Sequence, residues 1–252
     1  MTINLAYYDW RRSERMQMVI DEINRLEPDV IMLQELSFDD GLNKLLKTSL
    51  LGYHHYLTRR GGKASYQGLL TLTRKKPLTT EKLDLSQNRV AQKVTLDIGG
   101  KPYSFVNVHL FFSALRDKPR RRQVEEIQTF VKKPAIVAGD FNAFLNSKSM
   151  QLMITRFRSA HQMVHKSEPE RTYPSPLWLG RSIRNYMRRG GFVFLGLLKT
   201  GKPNGWGVPI DFIFLDKGIK AENCRVILER PSNKDKTLYA SDHYGLIADL
   251  VV

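Results

Sequence analysis

Apolar and polar positions follow two rhythms along this chain. A three–four spacing sets Met16, Val19, Ile20, Ile23 and Leu26 on one face, predicting a helix capped by Ser13 and ended by Pro28. Similar stretches run from about Asp39 to Leu51, stopping at Gly52, and from about Pro119 to Val131, with Val124, Ile127 and Phe130 on one side. Ser147 can cap a further helix through about Arg156. The other rhythm is that of short strands: Thr2 to Tyr7, Asp29 to Leu33, His55 to Thr58, Gly68 to Thr73, Ala91 to Ile98, Lys101 to His109, Ala135 to Gly139, Ile210 to Leu215, Cys224 to Leu228 and Tyr244 to Val251. Gly99-Gly100 reads as a two-residue hairpin turn. Strand pairs interspersed with helices imply mixed sheets covered by helices.

No repeat or low-complexity linker interrupts this rhythm, so residues 1–252 read as a single domain. The stretch 177–208 departs from it. It carries Arg181, Arg184, Arg188, Arg189, Lys199 and Lys202, no acidic residue, and the apolar run Phe192 to Leu198, and it reads as a basic/apolar insertion.

Composition narrows the class. A hydrophobic fraction of 42% supports a sizeable core and 26% charged residues a soluble exterior. The lone cysteine, Cys224, cannot form an internal disulfide and has no base beside it in sequence, so it reads as a packed bystander. The start shows no basic n-region or apolar h-region, and the longest apolar stretch, Gly191 to Leu198, is far short of the roughly 20 residues of a spanning helix. A soluble monomer without a signal peptide is expected, cytoplasmic or secreted as a mature form. The formal charge of +15, from 40 basic and 25 acidic residues, points to a polyanionic partner: nucleic acid, an anionic lipid surface or a phosphorylated small molecule. Charge selected for solubility alone is the bland alternative.

Polyanions bring phosphoester chemistry into view. A phosphoester resists hydrolysis because its anionic oxygens repel nucleophiles, and the barrier falls when a cation neutralises that charge and a base activates water. Hard Mg²⁺ prefers carboxylate and amide oxygens and needs few protein ligands. Such a chain should carry Asp, Glu, Asn and His singly at strand ends, as at Asn4, Glu35, His109, Asp140 with Asn142, and Asp242 with His243.

Asn4 after a first strand, Pro28 to Glu35, Val108-His109-Leu110, Gly139-Asp140-Phe141-Asn142, Ile210 to Phe214 and Ser241-Asp242-His243-Tyr244 resemble the ordered motif set of the endonuclease/exonuclease/phosphatase family, which includes DNase I-like nucleases, neutral sphingomyelinases and inositol-polyphosphate phosphatases. The resemblance implies a four-layered α-β-β-α sandwich, with two mixed sheets face to face and helices outside. It implies Glu35 as principal Mg²⁺ ligand (Mn²⁺ a substitute), Asn4 beside it and Asp242 in support. Asp140 would orient or deprotonate the attacking water, or bind a second metal, and Asn142 would donate to the phosphoryl oxygen. His243, oriented by Asp211, would touch the phosphate and share acid–base work. His109 would be a phosphate donor or leaving-group acid, with Gln67 standing where the family often has Glu or Asn and able to orient that imidazole. His54, His55, His161 and His165 match no motif.

The substrate is less sharply drawn. The inositol-phosphatase Trp-Cys-Asp-Arg run is absent, Pro209-Ile210-Asp211-Phe212 standing there, and His109 replaces the tyrosine usual in abasic-site endonucleases. A nuclease is the first expectation: Arg116, Lys118, Arg120, Arg121 and Arg122, with the 177–208 stretch and its Arg184 and Arg188, would track a phosphate backbone, and Trp178 and Tyr186 would stack. A sphingomyelinase-like phospholipid phosphodiesterase, its Phe192 to Leu198 run in peripheral contact with an anionic membrane, or a phosphatase of a phosphorylated lipid, is the alternative. A non-catalytic polyanion binder on the same scaffold is a third.

Overall fold

Alternation along the strands decides the architecture. In the computed structural model, which describes residues 1–7, 10–38, 40–62, 66–113, 116–176 and 207–252, the elements run β1 (Thr2–Asn4), α1 (Arg12–Leu26), β2 (Val30–Ser37), α2 (Asp40–Ser49), β3 (His54–Arg59), β4 (Gln67–Thr73), β5 (Thr79–Leu85), β6 (Arg89–Ile98), β7 (Lys101–His109), α3 (Lys118–Phe130), β8 (Ala135–Asp140), α4 (Lys148–Arg156), β9 (Phe157–Ser159), α5 (Ala160–His165), β10 (Asp211–Asp216), β11 (Lys220–Ile227) and β12 (Gly245–Val251). They form two six-stranded sheets, ordered β11-β12-β1-β2-β4-β3 and β5-β6-β7-β8-β10-β9. Both are mixed: β1–β2 and β7–β8 are parallel and the other pairs antiparallel.

Successive strand side chains point to opposite faces, and three apolar cores follow. Ile31 and Leu33 of β2 pack with Met16, Val19, Ile20 and Ile23 of α1 and Leu46 of α2. Val106 and Val108 of β7 and Val137 of β8 pack with Val124 and Ile127 of α3 and Met150 and Met153 of α4. The intervening positions, Met32, Phe105, Ile136, Ala138, Ile213 and Leu246, meet between the sheets. The expected four-layered α-β-β-α sandwich is therefore present. The described part of the 177–208 insertion is confined to Gly207 and Val208, the latter bridging Tyr173; Arg184, Arg188, Trp178, Tyr186 and the apolar run lie outside the described residues. Among the described residues, no helix is long and apolar enough to cross a membrane.

The inter-sheet face is graded from end to end. Asp211, Ile213 and Leu215 of β10 share it, as do Asp140, Ala138 and Ile136 of β8, and His109, Asn107 and Phe105 of β7. One end is thus ionisable and the other apolar. Between them Asn107 Nδ2 donates to the carbonyls of Leu33 (3.2 Å) and Leu70 (3.2 Å), and its Oδ1 accepts from Gln34 Nε2 (2.8 Å). These bonds tie the sheets together beneath the ionisable end.

Several boundaries differ from the sequence reading. The first strand ends at Asn4, because Asn4 Oδ1 accepts from the Ala6 amide and Ala6 turns to φ 51°. Helix α1 begins before Ser13: Arg11 is its N-cap, in left-handed conformation and without a side-chain cap bond. The helix expected from Asp39 spans Asp40–Ser49. Ser147 does cap α4, accepting from the Met150 amide at 3.3 Å, and Gly99 and Gly100, at φ 62° and 79°, turn the β6–β7 hairpin. Strands β5 and β9 and helix α5 had no counterpart in the sequence reading.

Candidate active site

The ionisable end of the sandwich opens into a cleft of about 330 Å³ lined by Glu35, His109, Asp140, Asn142, Asp242 and His243, together with Gln67, Arg60, Arg89 and an aromatic set. Each reaches the cleft by a specific backbone device.

Glu35 gets there through a bulge. The pairing of β2 with β4 shifts between Leu33 and Leu36, and Glu35 takes φ 54°. It is the extra residue that moves the helix-facing position from odd to even numbers. It therefore lies inside a strand, not at its end as the sequence suggested. Its Oε2 accepts from the Tyr7 amide at 3.3 Å.

Asp140 ends β8 after Gly139, whose φ of 143° and 2.0 Å clearance between an added Cβ and the Val108 carbonyl leave room only for glycine. Asp140 Oδ1 accepts from the Asn142 amide (2.8 Å), closing an Asx turn, and Oδ2 accepts from Asn4 Nδ2 (3.0 Å) and Asn142 Nδ2 (3.2 Å). Asn142 Nδ2 also donates to the Leu110 carbonyl at 3.1 Å. The Asn142 amide is thus engaged by the protein itself, and donation to a phosphoryl oxygen requires one of these bonds to be exchanged.

Asp242 and His243 sit on a loop anchored to β1. Ser241 Oγ donates to the Asn4 carbonyl and accepts from the His243 amide (3.1 Å). His243 Nδ1 hydrogen-bonds Asp211 Oδ2 at 2.9 Å, and Tyr173 packs on the imidazole with centroids 4.7 Å apart. Thr172 Oγ1 accepts from the Ile210 and Asp211 amides, fixing the carboxylate's strand.

Electrostatics divides these groups. Burial lowers the His243 pKa, but Asp211, Asp140 and Asp242 outweigh it and push it up to about 10. His109 Nε2 lies 3.7 Å from Glu35 Oε1 and 3.5 Å from Asp140 Oδ2, spacings at which a cationic imidazole would form ion pairs. Burial, then Arg89, Arg60 and His243, nevertheless hold its pKa well below the ordinary value, so it is neutral. Burial raises Asp140, with Asp211 adding to the effect. Glu35 is raised by burial and next by the charge of Asp242.

Two sets of donors could hold a cation. Ligand atoms of Asp140, Asp211 and His243 lie within 4.8 Å of one another, but two of these groups already satisfy each other through the Asp211–His243 bond. The carboxylates of Glu35 and Asp242 are the better fit, whereas the Asn4 amide is engaged by Asp140 and the Ala6 amide. Both carboxylates are hard oxygen donors, and burial and mutual repulsion disfavour the charge of Glu35, which a divalent ion would relieve.

The remaining expected residues divide. Gln67 lines the cleft, but its Oε1 accepts from Arg60 Nη1 (3.3 Å) and it makes no hydrogen bond to His109. Arg121 lies on the exposed face of α3, paired with Glu125 at 3.2 Å, and is not among the cleft-lining residues. Arg184 and Arg188 lie outside the described residues. Sequence reasoning missed Arg60, Arg89, Tyr7, Tyr66, Phe112 and Tyr173, all in the cleft wall. The position of Arg89 held a usable signal: it begins β6, whose antiparallel pairing sets its start beside the end of β7 where His109 lies.

A family model described as "Endonuclease/Exonuclease/phosphatase family" matches residues 1–243. No curated protein matches the chain. Among solved structures, D. rerio TDP2 complexed with single-strand DNA product is similar at 18% identity and TM-score 0.77, over 100% of this chain and 97% of that one. The mannosyl-6-phosphatase of Bacteroides thetaiotaomicron is similar at 16% identity and TM-score 0.74, over 100% and 98%. The human Nocturnin catalytic domain with bound sulfate gives 20% identity and TM-score 0.71, over 95% and 86%.

Proposed function

The chain belongs to the endonuclease/exonuclease/phosphatase family of phosphoester hydrolases, and from that premise we propose that it is a Mg²⁺-dependent phosphodiesterase that cleaves nucleic acid by attack of water on phosphorus. The observation that carries this reading is the Asp211–His243 pair, 2.9 Å apart, facing Asp140 and Glu35 across one cleft.

Glu35 and Asp242 would hold the divalent ion on which this family generally depends; bound there, it supplies charge neutralisation at the phosphoryl oxygens. Asp140, its carboxyl held by Asn4 and Asn142 and raised by burial, takes the proton of the attacking water. His243, kept cationic by Asp211, stabilises the charge that builds on phosphorus-bound oxygen. His109, neutral and 3.5 Å from Asp140, is a hydrogen-bond donor toward the departing oxygen.

Nucleic acid is favoured by the walls. Tyr7 and Tyr66 pack at 5.5 Å between centroids at the rim, Phe112 and Tyr173 line the same cleft, and bases or sugars stack readily on such rings. The chain's +15 charge draws it to a phosphate backbone. Purified protein with Mg²⁺ should cleave plasmid DNA and bis-p-nitrophenyl phosphate and stop with EDTA. Inertness toward both with Mg²⁺ or Mn²⁺, alongside phosphocholine release from sphingomyelin, would replace this reading by the phospholipid one.

A further inference from the structure

Among the described residues, four long cationic side chains are almost fully enclosed: Arg15, Arg89, Lys93 and Arg120. Arg15 donates to the carbonyls of Leu5, Ala6 and Trp10. Lys93 pairs with Glu81 at 3.0 Å and Arg120 with Asp117 at 3.1 Å. Arg89 differs. It is 6% exposed, yet its buried Nε and Nη1 have no hydrogen-bond partner. Burying a guanidinium without partners costs several kcal/mol, so the fold keeps these donors unpaired against a penalty.

Arg89 and Arg60 line both the main cleft and a small recess beside it that is shared with Gln67 and His109. Arg60 is steadied by the Asn88 carbonyl (Nε, 3.1 Å) and Gln67 Oε1 (Nη1, 3.3 Å). The charge of Arg60 disfavours that of Arg89. Neither forms an ion pair with a carboxylate among the described residues. Both arginines act on His109 and feel the charge of Glu35, whereas the charges governing His243 are those of Asp211, Asp140 and Asp242.

We propose that Arg60 and Arg89 form a second anion subsite, which holds the phosphate next to the scissile one. The inference rests on the hydrolase reading above and adds what the substrate must carry: two phosphoryl groups separated by a linker as short as one sugar. A nucleic-acid strand offers a phosphate at every nucleotide. A phosphocholine ester offers none there and would set its quaternary ammonium against two guanidiniums.

Calorimetric titration of the full chain in Ca²⁺, with thymidine 3′,5′-bisphosphate against thymidine 5′-monophosphate, tests this. The bisphosphate should bind about tenfold more tightly, the worth of one charge-assisted bidentate contact. Arg89→Met and Arg60→Met should each bring that ratio close to one, and Arg89→Lys, which keeps the charge if the Met variant fails to fold, should retain part of it. Equal affinities in the wild type, or variants that weaken both ligands alike, overturn the proposal, the latter result assigning the arginines to the reacting phosphate. Plasmid cleavage with Mg²⁺ in the same preparations separates the two readings. Cleavage without bisphosphate preference removes the subsite and leaves the nuclease. Preference without cleavage of DNA leaves the subsite and assigns it to a small bisphosphate.

Discussion

His109 and His243 are equally enclosed, each 6% exposed, and both face Asp140, yet they hold opposite charge states. Burial alone would neutralise both. On one flank Asp211, Asp140 and Asp242 overcome it and His243 stays cationic; on the other Arg89 and Arg60 reinforce it and His109 stays neutral. The two imidazoles are thereby differentiated, one cationic beside carboxylates and the other an uncharged donor beside two guanidiniums. What separates them is not depth but the sign of the second neighbour. A site that must stabilise charge in one place and let a group depart in another gains from this asymmetry.

The largest expected effect comes from removing either end of the charged flank. His243→Ala or Glu35→Gln should lower kcat by about 10³-fold or more, with a thermal melt showing the fold retained. His109→Ala should cost about 10²-fold, at the lower end of what positioned acid–base groups contribute. Steady-state kinetics on bis-p-nitrophenyl phosphate checks both. Equal losses at the two histidines would break the comparison, because the flanks would then be doing the same work.

A smaller effect than that at His243 isolates the neighbour from the imidazole. Asp211→Asn keeps the shape but removes the charge that holds His243 cationic. It should lower kcat by about 10²-fold with KM little changed, since the loss falls on charge that develops in the transition state. A loss confined to KM would mean that the pair serves binding alone.

Much of this arrangement was legible before any coordinates. The short apolar run Ala135 to Gly139 and the strand-like Lys101 to His109, set against the three–four spacing of α1, were enough for sheets covered by helices. Motif order then named Glu35, Asp140, Asp242 and His243, which line one cleft, and Asp211, which hydrogen-bonds His243. What stayed hidden has physical reasons. Strand β5, Thr79–Leu85, is an edge strand paired only to β6 and mostly exposed, so no apolar face announces it. The bulge at Glu35 carries no glycine to mark its positive φ; its neighbouring carbonyl at Leu33 is held by Asn107 from the opposite sheet, 74 positions away in sequence. Arg60 and Arg89 come from unrelated strand ends that only the sheet order juxtaposes, and the unpartnered donors of Arg89 cannot be read from composition. Arg121, chosen for its place in a basic run, sits on the outer face of α3 with Glu125, as helical i,i+4 geometry dictates.

The smallest effect should come from a carboxyl that shares burial with Asp140 but none of its company. Glu168 is pushed up to about 7, first by burial, against which a hydrogen bond from Ser159 works only in part, and its Oε1 is buried without a partner. Its folded-state pKa thus lies above the unfolded value near 4.5, the reverse of the usual carboxylate case. The folded chain therefore holds this proton more tightly. Between about pH 4.5 and 7 the unfolded state releases it while the folded state keeps it, so stability falls with rising pH and levels off above about 7. The penalty is at most about 3 kcal/mol, or several degrees in Tm for a chain of this length. Glu168→Gln, permanently neutral, should abolish that decline. Melts at pH 5 and pH 8 should bring its curve above the wild type only at the higher pH, with turnover unchanged because Glu168 is outside the cleft-lining set. Parallel curves for the two proteins would mean that burial alone does not set the charge of a carboxyl here. The weight given to burial at Asp140, and with it the contrast between the two histidines, would then have to be carried by neighbours alone.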